Sequence, residues 1–481
     1  MTAQSRDTDA SQPLTLPSRM APTDALFWYA ETALPSFRPI IGGLYILDRH
    51  PHAQGIEAGY QAALRLVPRL RQRVMESPLA IGLPQWVDDL HFDPDYHLRH
   101  LSVPAPGTLR QLLDLSATVF ATPLDRERPL WEAYWIDGLE GGRAGYFFKM
   151  HHAIVDGVGS LALLNALTQR HRTEPQATRS TRHTPRAVRP APPPDVANEL
   201  GAALLELSSL AWRTVQVPLH FLSDPGASAT QLWRIGRGVR GLLADVGNPT
   251  VNDPLVGSTS GLSRRLDVLE VPLKRLDTIR KPLGVTINDL VLAVLAGTIG
   301  AYHRERRVHV DTLNCMVPMS LRAADEHDVL GNRVGMFNIA LPVGEKLPRR
   351  RLERIVKQTH AAKRDQRSAL YPFLMQTLTV LPGAAFRWLA RQSLGRVNVA
   401  CTNIPGLPDR RYMAGAEVQA IYPFASVVQG TPLVMALFSY AGMMDIGIDT
   451  DPEAIPDPHR LAELFDKGLD QMEALSRRRS G

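Results

Sequence analysis

Residues 145–157 read Gly145-Tyr-Phe-Phe-Lys-Met-His-His-Ala-Ile-Val-Asp-Gly157, a strand-like run that leads directly into a pair of histidines. Tyr146, Phe148 and Met150 alternate along this run and would share one face of a β-strand. The sequence Gly-Ser-Leu-Ala-Leu-Leu begins at Gly159 and indicates the first turns of a helix. The histidines therefore lie at a predicted strand end, where the backbone fixes the direction of each side chain.

The two histidines are expected to have different surroundings. Adjacent side chains of an extended segment point to opposite faces, so at most one of His151 and His152 can face a given cavity and the other should be packed. An imidazole with a pKa near its usual ~6.5 can take a proton from a hydroxyl group at neutral pH. Asp156 could orient the turn, and Gly157 permits a close backbone approach. A histidine pair alone is more often structural than catalytic, whereas the whole seven-residue pattern is more specific.

Composition restricts the class of protein. The 481 residues are 44% hydrophobic and 21% charged, which is typical of a globular protein and excludes a disordered, collagen-like or disulfide-scaffold chain. The net charge of +6 permits anionic partners without selecting one, and we expect no nucleic-acid partner. Two cysteines indicate a reducing compartment, and the polar N-terminus has no secretory signal pattern.

Composition also divides the chain. Residues 171–196 are rich in Arg and Pro and cannot supply a packed core, which predicts a linker. This linker is either a solvated tether or a basic strip that lies on anionic lipid headgroups. The predicted segments are a disordered lead (1–19), a first compact half containing the histidine pair (20–170), the linker (171–196), a helical connector (197–258) and a second compact half (259–481).

Several elements of the second half are predicted by local patterns. Thr286-Ile-Asn-Asp289 precedes an apolar run and is a capping box that opens a buried helix, which gives Asp289 a sufficient structural role. Residues 397–402 are predicted to form a short strand that ends in a turn at 403–406. Residues 368–386 and 418–444 are uncharged but are interrupted by Pro and Gly. We interpret both as buried core rather than membrane spans, with lipid contact as the alternative for the first.

Common motifs of other enzyme classes are absent or weak. The run Gly236-Arg-Gly-Val-Arg-Gly241 matches a dinucleotide fingerprint but lacks a preceding strand. The sequence contains no GxSxG, Walker A, HExxH or paired CxxC motif. His91, His97 and His100 lack carboxylates at ligand spacing, so we predict no metal site.

The motifs together resemble one family, the bacterial wax ester synthase/diacylglycerol acyltransferases, which belong to the HHxxxDG superfamily with chloramphenicol acetyltransferase and peptide-synthetase condensation domains. The resemblance spans about residues 20–475. Besides the histidine motif, it rests on the segments Ala21–Phe27 with Glu31, Gly42–Leu44, Trp86–Asp93, Leu124–Arg126, Pro129–Glu132, Ser260-Gly261, Asn288-Asp289, Val317–Arg322, Gly331-Asn332, Thr402–Gly406 and Ser439-Tyr440 with Gly442 and Asp449.

The resemblance implies an α/β fold of two chloramphenicol-acetyltransferase-like halves, with mixed sheets around a central substrate tunnel. His152 would be the general base, His151 its packed neighbour, Asp156 a structural carboxylate and Gly157 the residue that shapes the turn. Packing is the favoured role of Trp131, and a plain turn that of 403–406. The residues with a suggested place along the substrate tunnel are Pro129, Leu130, Trp131, Asn288, Asp289, Asn403 and Gly406.

The implied activity is transfer of a long-chain acyl group from acyl-CoA, as co-substrate, to diacylglycerol or a fatty alcohol. The products would be triacylglycerol or a wax ester, and no cofactor is expected. Two alternatives remain: the same fold with a specialised acceptor, and a non-catalytic lipid-binding paralogue, against which the intact histidine motif argues. Because these substrates are insoluble in water, we expect a cytoplasmic protein associated peripherally with the plasma membrane or lipid bodies, through the basic linker and residues 368–386.

Overall fold

The computed structural model describes residues 17–34, 37–76, 83–154, 157–172, 253, 261–320, 334–364, 387, 397–427 and 430–480. In this part of the chain the helices are α1 (Pro22–Ala33), α2 (Ala53–Leu66), α3 (Pro94–His97), α4 (Leu109–Ala121), α5 (Gly157–Leu167), α6 (Leu273–Leu283), α7 (Ile287–Glu305), α8 (Pro348–Arg364) and α9 (Pro458–Ser480). Apart from 171, 172 and 253, the predicted linker and connector lie outside the described residues, and so do residues 1–16 of the predicted lead.

The strands form two large mixed sheets and one hairpin. They are β1 (Ile40–Leu47), β2 (Gln72–Met75), β3 (Gln85–Asp88), β4 (Leu98–Ser102), β5 (Trp131–Asp137), β6 (Ala144–His151), β7 (Arg265–Pro272), β8 (Leu313–Ser320), β9 (Val334–Leu341), β10 (Val399–Leu407), β11 (Tyr412–Met413), β12 (Ala416–Ala425), β13 (Leu433–Tyr440) and β14 (Met443–Thr450).

The first sheet has the strand order β11-β12-β1-β6-β5-β4. Only β4 and β5 run parallel, and the other neighbours are antiparallel. Every residue of β6 is buried, including Lys149 on the face opposite to Tyr146, Phe148 and Met150, because the strand lies between β1 and β5 and both of its faces are covered. On one face of β6, Phe147 packs against Phe120 of α4, and on the other face the Tyr146 hydroxyl bonds that of Tyr60 in α2. Helices therefore cover both faces of this sheet.

The second sheet has the order β7-β14-β13-β10-β8-β9, with β10 parallel to both of its neighbours. The helices α6, α7, α8 and α9 pack together over it around one apolar core. The predicted capping box opens α7: the Thr286 hydroxyl accepts the Asp289 amide, and the Asp289 carboxylate accepts the Thr286 amide. Two mixed sheets with flanking helices confirm the predicted fold class.

The two sheets do not divide the chain at one boundary. Tyr412–Met413 and Ala416–Ala425 belong to the predicted second half, yet they form β11 and β12 of the first sheet. The physical reason is that residues 420–425 of β12 are apolar on both faces, and pairing with β1 through seven residue pairs buries the strand and satisfies its backbone. The predicted boundary after residue 258 therefore separates chain segments but not sheets.

Two carboxylates of β14 connect the two sheets by hydrogen bonds at the place where β12 packs across β14. The Ile421 amide donates to Asp445 Oδ2 at 2.8 Å, and the Val427 amide donates to Asp449 Oδ2 at 3.3 Å. Between them the backbones approach so closely that a Cβ on Gly447 would lie 1.8 Å from the Pro423 carbonyl oxygen. Side-chain oxygens thus replace the backbone partners that β12 lacks on this side.

The two uncharged stretches have different outcomes. The described part of residues 418–444 contains most of β12, all of β13 and the start of β14, and most of it is buried, as we predicted. Residues 368–386 lie outside the described residues. Among the described helices, none alone is long and apolar enough to cross a membrane; by length and composition only, the pair Leu273–Leu283 and Ile287–Glu305 passes together, bent by 96°.

Candidate active site

An apolar cavity of about 300 Å³ lies between the two sheets. Its described walls come from α1, α5, β1 and β6 of the first half, and from β8, β10, β12 and β13. The polar lining residues are few. Those that carry a side-chain heteroatom able to hydrogen-bond are Thr23, Tyr45, His152, Thr402, Asn403, Ser426 and Thr431. Such a site suits an alkyl chain with a reactive polar group at one place.

His152 is the histidine that faces this cavity. It follows the last residue of β6, and its backbone amide donates to the Pro39 carbonyl at 2.7 Å. Its ring stacks on Phe27 of α1, with centroids 4.2 Å apart and planes 19° apart. The strand end and the aromatic ring therefore hold the imidazole in one orientation on the cavity wall.

His151 points to the opposite side, as the alternation of a strand predicts, and is 1% exposed. Its Nδ1 accepts the Ala153 amide at 3.0 Å, which leaves the proton of the neutral ring on Nε2. That Nε2 lies 3.9 Å from Glu31 Oε2. Burial, together with the charges of Arg126 and His152, lowers the pKa of His151 well below its usual value. His151 is therefore a neutral, packed residue.

An ion pair behind His151 fixes α1 to the loop before β5. Arg126 donates to Glu31 Oε2 at 2.6 Å, and its guanidinium lies 3.4 Å from the centroid of the Trp28 ring. Glu31 and Arg126 both lie in segments on which the family resemblance rests, but sequence reasoning gave neither of them a role. Their contact depends on packing between positions 95 residues apart, which no local pattern reveals.

The rest of the histidine motif is described only in part. Asp156 lies outside the described residues. Gly157 is the first residue of α5, in agreement with a turn that leads into a helix. Three leucines of that helix, Leu163, Leu164 and Leu167, line the cavity. The motif thus joins the histidine wall to a helix that forms another wall.

The segment Pro129–Trp131 lies behind the histidine strand. The Leu130 carbonyl accepts the His151 amide at 2.9 Å, and Trp131 Nε1 donates to the Leu70 carbonyl at 2.8 Å. The Trp131 ring is buried and stacks on His97. None of Pro129, Leu130 and Trp131 is among the described residues that line the cavity. Their placement is that of packing residues, which is the role we favoured for Trp131.

Neither Asn288 nor Asp289 is among the described residues that line the cavity, but Asn288 contacts one of them. The Asn403 side chain lines the cavity, and its Nδ2 donates to Asn288 Oδ1 at 2.6 Å. Asp289 instead caps α7 and accepts the Thr359 hydroxyl at 2.6 Å. Asn288 therefore orients a lining amide, whereas Asp289 has the structural role that we favoured.

Residues 403–406 are not a turn, which corrects our prediction. They continue β10, whose pairing with β13 shifts register between Ile404 and Leu407. The Gly406 amide donates to Ser439 Oγ at 2.9 Å, and a Cβ on Gly406 would lie 1.9 Å from the Ser439 carbonyl oxygen. A bulge in a parallel pair uses the same Pro and Gly residues as a turn, so the local sequence does not distinguish them. Gly406 is not among the described lining residues.

Sequence reasoning missed most of the cavity wall. Phe27 and Gly43 lie in segments with a recognised resemblance but had no assigned role, and Tyr45 had no signal at all. The alternation of β1 identifies two faces, but the face that meets the cavity is fixed by pairing with β6 and β12, which are distant in sequence.

A histidine on the wall of an apolar cavity between two mixed sheets, at the end of an HHxxxDG strand, defines an acyltransferase of the HHxxxDG class. Comparisons with known proteins narrow the class. The family model described as the wax ester synthase/diacylglycerol acyltransferase catalytic domain matches residues 20–291, and the model of the C-terminal domain of the same family matches residues 330–473.

Known proteins agree with the family models. Rv2484c of Mycobacterium tuberculosis (strain ATCC 25618 / H37Rv), whose name describes a diacylglycerol O-acyltransferase, is 30% identical over 96% of this chain and 93% of its own length. The wax ester synthase/diacylglycerol acyltransferase from Marinobacter aquaeolei VT8 shares the fold, with a TM-score of 0.62 and 23% identity over 95% of this chain and 99% of that one. The first condensation domain of the calcium-dependent antibiotic synthetase also shares it, with a TM-score of 0.59 and 17% identity over 96% of each chain.

The chain belongs to the wax ester synthase/diacylglycerol acyltransferase family. It is an O-acyltransferase of that family.

Proposed function

We propose that this enzyme transfers a long-chain acyl group from acyl-CoA to the hydroxyl of diacylglycerol or a fatty alcohol, with His152 as the general base. The observation that carries the proposal is the His152 ring, held between the end of β6 and Phe27 on the wall of an apolar cavity. His151 is unsuited to this role because it is buried outside the cavity and its lowered pKa makes it a weak base.

The proposed reaction needs one proton carrier. A ring nitrogen of His152 takes the proton of the acceptor hydroxyl while the hydroxyl oxygen attacks the thioester carbonyl. The C–S bond then breaks, the ester is released, and the imidazolium returns its proton to the CoA thiolate. The general base supplies roughly 10²–10⁴-fold of the rate, and positioning of both substrates in one cavity supplies more.

The test is thiol release from lauroyl- or palmitoyl-CoA, with diacylglycerol, hexadecanol or water as the acceptor. We expect release that depends on an alcohol and falls by about 10²–10⁴-fold in His152→Ala, with thermal unfolding unchanged. The matched control is His100→Ala, which removes an exposed imidazole from β4 of the same sheet. Equal rates in the wild type and His152→Ala would contradict the assignment of the base. No release with either alcohol would contradict the proposed acceptors.

We also propose peripheral association with the cytoplasmic face of the plasma membrane or with lipid bodies. The insolubility of the acceptors and the basic composition of residues 171–196 support this proposal. If it is right, replacing the arginines between positions 170 and 189 by glutamine should weaken binding to anionic liposomes. Unchanged binding would refute a role for this segment.

A further inference from the structure

Three neighbouring strands form the floor of the cavity as a series of rows. The strands β12, β1 and β6 are in register, so residues that face the cavity line up across them. Each row contributes one residue from each strand, in that order. The row beside His152 is Ala425, Ile41 and Met150; the next is Pro423, Gly43 and Phe148; the third is Ile421, Tyr45 and Tyr146.

The spacing of the rows gives the distance of each row from His152 along the strands. Successive rows are two residues apart, which is about 6.6 Å at the ~3.3 Å rise of a strand residue. Phe148 therefore lies about 13 Å along the strand from His152, and Tyr146 about 20 Å. An extended alkyl chain that starts at His152 and follows the strands would cross the rows in this order.

The middle row leaves the most space above the sheet at Gly43, and the Tyr45 side chain lies over this row. Gly43 has no side chain, and a Cβ built there would be 3.1 Å from Tyr45 Cε2 and 3.6 Å from the Tyr45 hydroxyl oxygen. The Tyr45 ring therefore leans back over Gly43, toward His152. It occupies the space through which a chain would pass from the middle row to the third.

The Tyr45 ring is supported from behind. Its centroid lies 5.4 Å from that of Tyr146, whose hydroxyl bonds the hydroxyl of Tyr60 at 2.7 Å. Tyr146 is completely buried and Tyr60 is 4% exposed, and neither is among the described lining residues. Tyr45 and Ile421 are thus the described residues of the third row on the cavity surface, and Tyr45 lies in front of a packed tyrosine pair.

We propose that Tyr45 is the end wall of an alkyl-chain subsite and sets the length of the chain that the enzyme accepts. This proposal rests on the proposed function and names the part of the site that selects its substrate. About 13 Å from His152 to the Gly43 row corresponds to about 11 bonds, at the ~1.2 Å per bond of an extended chain. Removing the Tyr45 ring would open one further row, about 5 to 6 more carbons.

The experiment compares the wild type with Tyr45→Ala and Tyr45→Phe. Values of kcat/KM are measured with saturated acyl-CoAs of about 8 to 18 carbons and one alcohol, and then with alcohols of the same lengths and one acyl-CoA. Each methylene that is buried in the subsite should raise kcat/KM by up to about 4-fold, the equivalent of ~0.8 kcal/mol. If kcat/KM stops rising with chain length in the acyl-CoA series, the acyl chain occupies this subsite. If it stops rising in the alcohol series, the alcohol occupies it.

We expect the rise to stop near 11 carbons in the wild type and in Tyr45→Phe, and about 5 to 6 carbons later in Tyr45→Ala. The matched control is Tyr96→Ala, which removes a tyrosine that is 38% exposed and should leave both profiles unchanged. Identical chain-length profiles in Tyr45→Ala and the wild type would overturn the proposal.

A binding measurement separates this proposal from the proposed reaction. Saturated alcohols that bind the folded protein raise its melting temperature. The rise should level off near 11 carbons in the wild type and later in Tyr45→Ala, whether or not acyl transfer occurs. If Tyr45→Ala fails to fold, Tyr45→Leu gives the same comparison. If acyl transfer is lost in His152→Ala but the length limit is the same in Tyr45→Ala and the wild type, the end wall is refuted and the proposed function stands.

Discussion

Replacing Asp445 by asparagine should make the protein more stable at neutral pH and should flatten the dependence of its stability on pH. Asp445 is 1% exposed at the junction of the two sheets, where it accepts the Ile421 amide. Burial, and then the nearby charge of Glu270, raises its pKa from 3.8 to about 7, against the opposing effect of the Ile421 amide. Asparagine keeps an acceptor oxygen for Ile421 and cannot ionise.

The magnitude follows from the difference between the folded and unfolded pKa values. Between pH ~4 and ~7 the folded protein holds a proton at Asp445 that the unfolded chain has lost, so the free energy of unfolding decreases as pH rises. The slope from this one group is about 1.4 kcal/mol per pH unit. Over the shift of about 3 units, from 3.8 to about 7, the loss is about 4 kcal/mol, and it is complete above pH ~7.

The assay is urea unfolding of the wild type and Asp445→Asn at several pH values between about 4.5 and 8. The difference in unfolding free energy between the two proteins should grow by about 1.4 kcal/mol per pH unit and then level off. Asp311→Asn, at a side chain that is 87% exposed, should follow the wild type at every pH. Parallel curves for the wild type and Asp445→Asn would refute the reasoning, because they would show that Asp445 titrates alike in the folded and unfolded chain.

Two further substitutions test the packing behind and beside the cavity. Lys149 is 0% exposed, pairs with Glu132 at 2.9 Å and donates to the Val119 and Thr122 carbonyls. Lys149→Met should lower the free energy of unfolding by about 3–5 kcal/mol, because two carbonyls lose their donor and Glu132 loses its buried cation and keeps the longer Arg99 contact and the Tyr134 hydroxyl; a loss below ~1 kcal/mol in urea unfolding would contradict this. Gly406→Ala should cost about 1–3 kcal/mol in the same assay, since its methyl would lie 1.9 Å from the Ser439 carbonyl oxygen and force β10 away from β13. A neutral Gly406→Ala would show that the bulge adjusts freely.

Local patterns predicted the elements that determine their own structure. The alternation of residues 145–150 predicted β6, and the Thr286–Asp289 pattern predicted the capping box, because each depends on residues within a few positions. The same alternation separated the histidines, and the structure places His152 on the cavity and His151 in the core. The two-residue period of a strand was therefore sufficient to predict that the two histidines face opposite sides.

Features that depend on pairing between distant segments were not predictable in this way. The bulge at Gly406 and the pairing of β12 with the first sheet are both determined by partner strands that are distant in sequence. The sequence around Gly406 also fits a turn, and the sequence of β12 also fits an ordinary strand of the second half. Tyr45 is another example, because its place over Gly43 is evident only after β1, β6 and β12 are aligned. The residues of a strand do not by themselves determine its register with a partner strand that is distant in sequence.

The placement of β12 affects the order in which a growing chain can fold. Until the ribosome has synthesised residues 416–425, β1 is an open edge, and its apolar run Ile40–Leu47 has no neighbour on one side. The part of the chain that emerges before residue 416 therefore carries an incomplete sheet whose edge can pair with other nascent chains. About 270 residues separate the end of β6 at residue 151 from the end of β12 at residue 425. At a synthesis rate of roughly 5–20 residues per second, this edge therefore remains open for about 14–55 seconds, during which a chaperone can shield it.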